Sequence, residues 1–238
     1  MGQKKKFSTE LAWLLGLIIL AFGVVLEEKA DFGMSMVVSP AFILYKKLSE
    51  IFPFVTFGMM EYVLQAVLLI LMVLVVRQWK TTYLFSFLTA VIYGVILDLE
   101  ELLLAFIPVG TLPILTRIGF YTAGIVVSSI AIALLFKAYL MPEVYELLVK
   151  VISEKFHFKL GTVKTVYDIT SCTVSVILSF TFFGMWTFVG VNWGTIVCAL
   201  LNGVMIQWFT KLFDRHFEFV DSFKWRAFFE GKKTIREA

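Results

Sequence analysis

Apolar residues along this chain fall in long blocks, not at every second position and not on a single helical stripe. Six blocks stand out, at about Leu11–Glu27, Phe57–Val76, Tyr83–Phe106, Thr116–Phe136, Thr162–Phe183 and Thr187–Phe209. Each has roughly 17–24 residues, the length of helix that crosses a hydrocarbon core of about 30 Å. A β-barrel would show alternating segments of about ten residues, and the chain has none. Helices that close their own backbone hydrogen bonds are the remaining way to bury such blocks in lipid. The pattern therefore predicts an all-α membrane protein with six transmembrane helices. The first block follows Lys4-Lys5-Lys6, as a signal peptide would, but it is too long. Only Glu27-Glu28-Lys29 follows it, with no small-x-small cleavage site, so it reads as a retained helix.

The second half of the pattern weakly repeats the first. Gly16…Phe22-Gly23…Lys29-Ala30 reappears as Gly124…Ile130-Ala131…Lys137-Ala138, and Pro40 matches Pro142. Lys47 to Phe54, ending at Gly58, answers Lys150 to Phe158, ending at Gly161. Ser86, Ala90 and Gly94 answer Thr195, Ala199 and Gly203. Each repeat holds three spans, an odd number, so the second copy enters the membrane the other way up. Inverted repeats of this kind build many secondary transporters. The expected organisation is a basic N-terminus at 1–10, a three-helix repeat at 11–106, its inverted copy at 107–213, and an amphipathic tail at 214–238.

Between the first and second spans of each repeat lies a segment too short and polar to cross. These are Val37–Phe54 and Leu140–Phe158, each opening near a proline that suits a helix N-terminus. Two readings stand side by side: a helix lying on the membrane surface, or a pair of re-entrant elements, one per face. The tail mixes charge with Phe217, Phe219, Phe223, Trp225, Phe228 and Phe229, which predicts an interfacial helix near anionic lipid.

Composition agrees with the pattern. The chain is 60% hydrophobic and 16% charged, where soluble domains have about 45–50% and about 25%. Lys4–Lys6, Arg77, Lys80, Lys137, Lys150, Lys155, Lys159 and the cations of the tail share one side of the predicted topology. Only Lys29, Lys46, Lys47 and Arg117 fall on the other. The positive-inside rule then puts both termini in the cytoplasm. Cys172 and Cys198 lie inside apolar spans, while His157 and His216 lie in polar connections. No metal site, cofactor or disulfide framework is expected from them, and no nucleic acid.

Ionisable or amide side chains inside spans are costly and mark candidate function. Glu61 and Gln65 lie one turn apart in the second span; Lys164 and Asp168 do so in the fifth. The repeat puts Glu61 opposite Lys164 and Gln65 opposite Asp168. Tyr167, Asn192 and Asn202 complete the expected substrate or ion pathway. Asp168 is the leading coupling candidate, with protons or cations as the coupling ions. Glu61 and Lys164 also admit a plainer reading, in which they reach the interface near helix starts. Asp98-Leu99-Glu100-Glu101 ends the third span and is expected to meet water. The ladders Ser86/Ala90/Gly94 and Thr195/Ala199/Gly203 are expected to pack helices closely. Gly190, Asn192 and Gly194 suggest an interrupted helix entry.

Lys29-Ala30-Asp31-Phe32-Gly33-Met34-Ser35 is similar to the KAxxGxSP stretch of the YczE/YitT-like family of bacterial integral membrane proteins. Asn192-Trp193-Gly194-Thr195-x3-Ala199-x3-Gly203-x2-Ile206 resembles that family's sixth-span motif, GxGTxxxAxxxGxxI. Phe87-Leu88-Thr89-Ala90-x3-Gly94 echoes its third span. Met36 stands where the family has proline, and Asn192 where it has glycine. The resemblance covers about residues 10–213 and is to the short form without a C-terminal soluble domain. It implies a multi-pass protein of the bacterial cytoplasmic membrane and names no substrate. The expected function is secondary transport of a small organic solute, with the bilayer and a second copy of the chain as further expected partners. The alternatives are a substrate-binding membrane subunit of an ATPase-driven importer, with no nucleotide loop of its own, and a membrane scaffold or assembly factor. An enzyme is not expected, because no Ser/His, Glu/His or metal-ligand set lies in the spans.

Overall fold

The structure is a computed structural model, which describes residues 4–158, 160–223 and 226. A strand β1 (Lys5–Ser8) leads into helix α1 (Thr9–Ala30). Then follow α2 (Ser39–Ser49), α3 (Phe57–Val76), α4 (Thr82–Leu103), α5 (Ile114–Leu135), α6 (Val144–Phe156), α7 (Leu160–Phe183), α8 (Trp193–His216) and β2 (Phe217–Val220). Six of these helices, α1, α3, α4, α5, α7 and α8, are long and apolar enough to cross a membrane. Their starts follow local chemistry. The Ser8 hydroxyl caps α1 and the Thr56 hydroxyl caps α3, while Asn192 and Thr195 form a capping box on α8.

The residues that revealed the repeat are the ones that join its halves. α1 and α5 lie antiparallel, and their matched small residues meet in a symmetric pattern. A Cβ on Gly16 would press on the Ala131 carbonyl, and one on Gly124 would press on the Gly23 carbonyl. Small residues there let two backbones approach closely. Around this seam the halves are inverted copies: α1, α3 and α4 in one, α5, α7 and α8 in the other.

α2 and α6 decide between the two readings of the short segments. Gln65, which meets the start of α6, is eleven residues from the end of α3 and eight from its start. It accepts from the Val144 N–H at 2.9 Å. The next turns of α6, at Leu147, Leu148 and Val149, cluster with Leu69, Met72 and Val76, so α6 runs parallel to α3 from mid-height to one end. In the other half, Ser171 at mid-height of α7 donates to the Met36 carbonyl at 2.7 Å just before α2. Lys47, near the end of α2, lies 5.6 Å from the Phe183 ring at the end of α7. α2 therefore runs parallel to α7. Both are half-helices with their N-termini inside the bundle, entered from opposite ends, and neither lies on the surface.

Two boundaries differ from the sequence expectation. α1 continues through Glu27, Glu28 and Lys29 to Ala30, all buried. Tertiary partners allow this: the Lys46 ammonium is 2.9 Å from Glu28, and Ser128 faces Glu27. The tail does not open as an interfacial helix. α8 runs to His216, and Phe217–Val220 then pairs in parallel with Lys5–Ser8, so both ends of the bundle's chain close on one side. The rest of the predicted tail helix, at residues 224, 225 and 227–238, lies outside the described residues.

Arg117 of α5 secures the other end of α1. Its Nε donates to the Ala30 carbonyl at 2.7 Å and its Nη2 to the Asp31 carbonyl at 2.9 Å. The guanidinium lies 4.6 Å over the Phe32 ring. It thus satisfies orphan carbonyls at a helix C-terminus, where positive charge is also favoured. Arg117→Ala is expected to cost about 2 kcal/mol, the scale of hydrogen bonds from a charged group, read as a lowered thermal midpoint. Arg117→Lys should recover only part of it, since an ammonium cannot fork between two carbonyls.

Candidate functional site

The site grows from the start of α6. The chain leaves α5, and residues 136–143 turn back into the bundle against α4. There Thr89 donates to the Met141 carbonyl at 3.1 Å, and Ser86 donates to the Pro142 carbonyl. These bonds hold Glu143 at the mouth of the half-helix. Gln65 then clamps it from α3: its Nε2 donates to Glu143 Oε2 at 2.7 Å while its Oε1 takes the Val144 N–H. One turn along α3, Glu61 Oε2 accepts from the Tyr145 hydroxyl at 2.6 Å. Glu61 and Gln65 are both 0% exposed, and Glu143 is 6% exposed.

Two polar atoms in this cluster have no partner. Glu61 Oε1 is one; the hydroxyl of Tyr93 on α4, 1% exposed, is the other. Glu143, Glu61, Glu27 and Glu146 are the charged groups that act on that hydroxyl. Glu27 reaches Ser128 with one oxygen at 3.5 Å and leaves the other unpaired. Buried polar atoms without partners are rare, because each forfeits its hydration for nothing. The Glu146 and Glu61 carboxyls lie close enough to Glu143 to act on it.

The predicted residues divide. Glu61 and Gln65 stand at the centre, and Glu61 is sealed inside instead of reaching an interface. Lys164 and Asp168 pair with each other at 2.7 Å, one turn apart on α7 and half-open to the surroundings. Tyr167 lies between the two groups, its ring 6.4 Å from that of Tyr145 and 5.5 Å from Lys164 Nζ. Asn202 accepts from Ser129 of α5 at 2.8 Å, which gives its carbonyl oxygen a partner within the bundle. Asn192 caps α8, far from the cluster in hydrogen-bonding terms. The expected interrupted entry around it is instead tied down, with Gly194 N–H on the Phe32 carbonyl and Met34 N–H on the Gly190 carbonyl, both at 2.9 Å. Asp98 does not simply meet water: it accepts from Thr56 and from the Gly58 N–H, both at 2.6 Å. Glu101 accepts from Tyr45 at 2.9 Å.

Of the ladders, Ser86, Ala90 and Gly94 are buried, as is Thr195. Ala199 and Gly203 are exposed, because α8 turns Thr195, Cys198 and Asn202 towards the bundle.

Sequence reasoning missed Glu143, Tyr145, Tyr93, Glu146 and Glu27. Glu143 had a signal: it follows Pro142, the partner of Pro40 in the repeat, directly after an apolar span. Glu27 was read as the end of a span. Among the described residues, no three His, Cys, Asp or Glu side chains are arranged to hold a metal ion. A family model for a family of unknown function, DUF6198, matches residues 7–211. No curated protein and no solved structure matches the chain.

Proposed function

We propose that this chain, which belongs to the DUF6198 family of unknown function, is a secondary transporter that moves a small organic solute across a bacterial cytoplasmic membrane by alternating access. Six membrane-length helices make it a multi-pass membrane-like protein of helical fold. The observation that carries the transport reading is the pair of half-helices, inverted with respect to one another. One of them delivers Glu143 and Tyr145 onto Glu61 and Gln65 at mid-height. Broken helices ending at a polar site near the midplane, at an interface of inverted repeats, are what alternating access requires.

Each residue has a part in that cycle. Gln65 latches α6 through the Val144 N–H, and Ser86 and Thr89 hold the segment before it. Release of these bonds opens the cluster towards the side where β1 and β2 pair. Arg77, Lys80, Lys137, Lys150 and Lys155 lie towards that side, which supports its being cytoplasmic. Glu61 and Glu143 are the coupling groups in this reading, and Asp168, neutralised by Lys164, is not. The segments that resemble the YczE/YitT-like family support membership of that group too: Phe32 and Gly33 pack on Asn192, Gly194 and Thr195.

A single reporter tests the cycle without knowing the solute. In a background with Cys172→Ser and Cys198→Ala, Thr89→Cys places a thiol beside the Met141 carbonyl. A membrane-impermeant maleimide is expected to label it from either face, in right-side-out and in inverted vesicles. Labelling from neither face, or from one alone, overturns alternating access at this site.

A further inference from the structure

The charge around Glu143 is one-sided. On its own helix it faces Glu146, and from α3 comes Glu61; from α4 comes the Tyr93 hydroxyl, on which Glu27 of α1 also acts. α7 brings Lys164, but Asp168 holds that ammonium at 2.7 Å, so the pair adds almost no net charge. An anion brought here would meet carboxyls and no uncommitted cation, and each carboxyl that ionises repels it. The usual receptor for an anionic solute, the N-terminus of a half-helix, is partly taken: the Val144 N–H is bound by Gln65 Oε1, and the Glu146 N–H by its own carboxyl. Two polar atoms remain open inside the cluster, Glu61 Oε1 and the Tyr93 hydroxyl, and with the Glu61 carboxyl ionised both can accept from an N–H donor. Aromatic walls flank them, in Tyr145 and Tyr167. Lys164 Nζ stands 5.5 Å over the Tyr167 ring, so this wall already takes a cation on its face.

Building on the transport reading above, we propose that the solute is a small organic cation, an alkyl or aryl ammonium, bound between Glu61, Glu143 and Tyr93 in exchange for a proton. The balance is simple. A protonated carboxyl gives its proton to water as the ammonium arrives, and the site keeps the same charge in both states. The cation then replaces the proton as the partner of a carboxylate that burial would otherwise leave uncompensated.

The test uses the full-length protein purified in detergent at low buffer capacity. Benzylammonium, methylammonium and cyclohexylammonium are added in turn. Binding is followed by equilibrium dialysis and proton release by a pH indicator. At least one cation is expected to bind with stoichiometric proton release, and benzoate is expected to do neither. Glu61→Gln and Glu143→Gln should each weaken that binding roughly 30-fold or more, the effect of removing one member of a desolvated charge pair. Glu50→Gln, at the exposed Lys47–Glu50 pair, should leave it unchanged. Tyr93→Phe loses no hydrogen bond within the protein, so it should fold normally yet bind the cation more weakly. Failure of all three cations to bind, binding without proton release, or binding of benzoate overturns the proposal. If Thr89→Cys is still labelled from both faces in that case, the transport reading stands and only the substrate class falls.

Discussion

Gly58→Ala is expected to abolish recovery of monodisperse protein. A Cβ on Gly58 would overlap the carbonyl of Gly94 across the α3–α4 seam, and one on Gly94 would lie 2.7 Å from the Gly58 oxygen. Neither backbone can yield alone. The Gly58 N–H and the Thr56 hydroxyl are both bound to Asp98 at 2.6 Å, so separating the helices also breaks the cap of α3. Overpacking costs about 1–3 kcal/mol, and leaving a half-buried carboxylate short of its donors adds about 1 kcal/mol more. Together these consume much of a total stability of roughly 5–15 kcal/mol. Gly203→Ala is the control. Gly203 is the repeat partner of Gly94, but a Cβ there meets nothing within 4 Å. It should leave the thermal midpoint unchanged or raise it, since alanine favours a helix by about 1 kcal/mol over glycine. Equal sensitivity of the two positions would remove the close seam as the cause.

Glu143→Gln is expected to flatten the dependence of stability on pH. Glu143 is 6% exposed and lies beside Glu61 and Glu146, with Gln65 as its hydrogen-bond partner, so an ionised carboxylate there has lost its hydration and has no cation to replace it. The folded state therefore holds this proton more tightly than the unfolded chain does. Its contribution is fully present while the carboxyl is protonated and is lost as rising pH ionises it. Wild-type protein should lose thermal stability on passing from mildly acidic to alkaline buffer, and the variant should lose less. Glutamine keeps the shape and can still bond with Gln65, so the comparison reports the proton and not a cavity. A variant whose curve remains parallel to wild type would show that Glu143 does not hold the proton.

The six spans were readable from the sequence because twenty-odd consecutive apolar residues need no tertiary information. The inverted relation of the halves was readable too, since an odd span count fixes it. Gly16, Gly23, Gly124 and Ala131 even marked the seam between halves. The repeat was less informative for chemistry. It set Gln65 against Asp168 as equals, yet the fold gives them different partners. Gln65 receives Glu143 from a half-helix, whereas Asp168 is met by Lys164, one turn away on its own helix. Likewise, Gly94 is packed and Gly203 is not, although their ladders read alike.

What the sequence determined by itself was the number and length of the membrane helices, the inverted doubling of the chain, and the cost of Glu61 and Gln65 where they stand. Those follow from local burial and from periodicity. The tertiary structure alone decided that the short segments enter the bundle and that Glu143 and Tyr145 arrive at Gln65 and Glu61. The Gln65–Glu143 bond joins positions 78 residues apart, a distance at which spacing carries no information. The site exists because two elements, each amphipathic in its own way, bury their polar faces against one another, and no single element contains it.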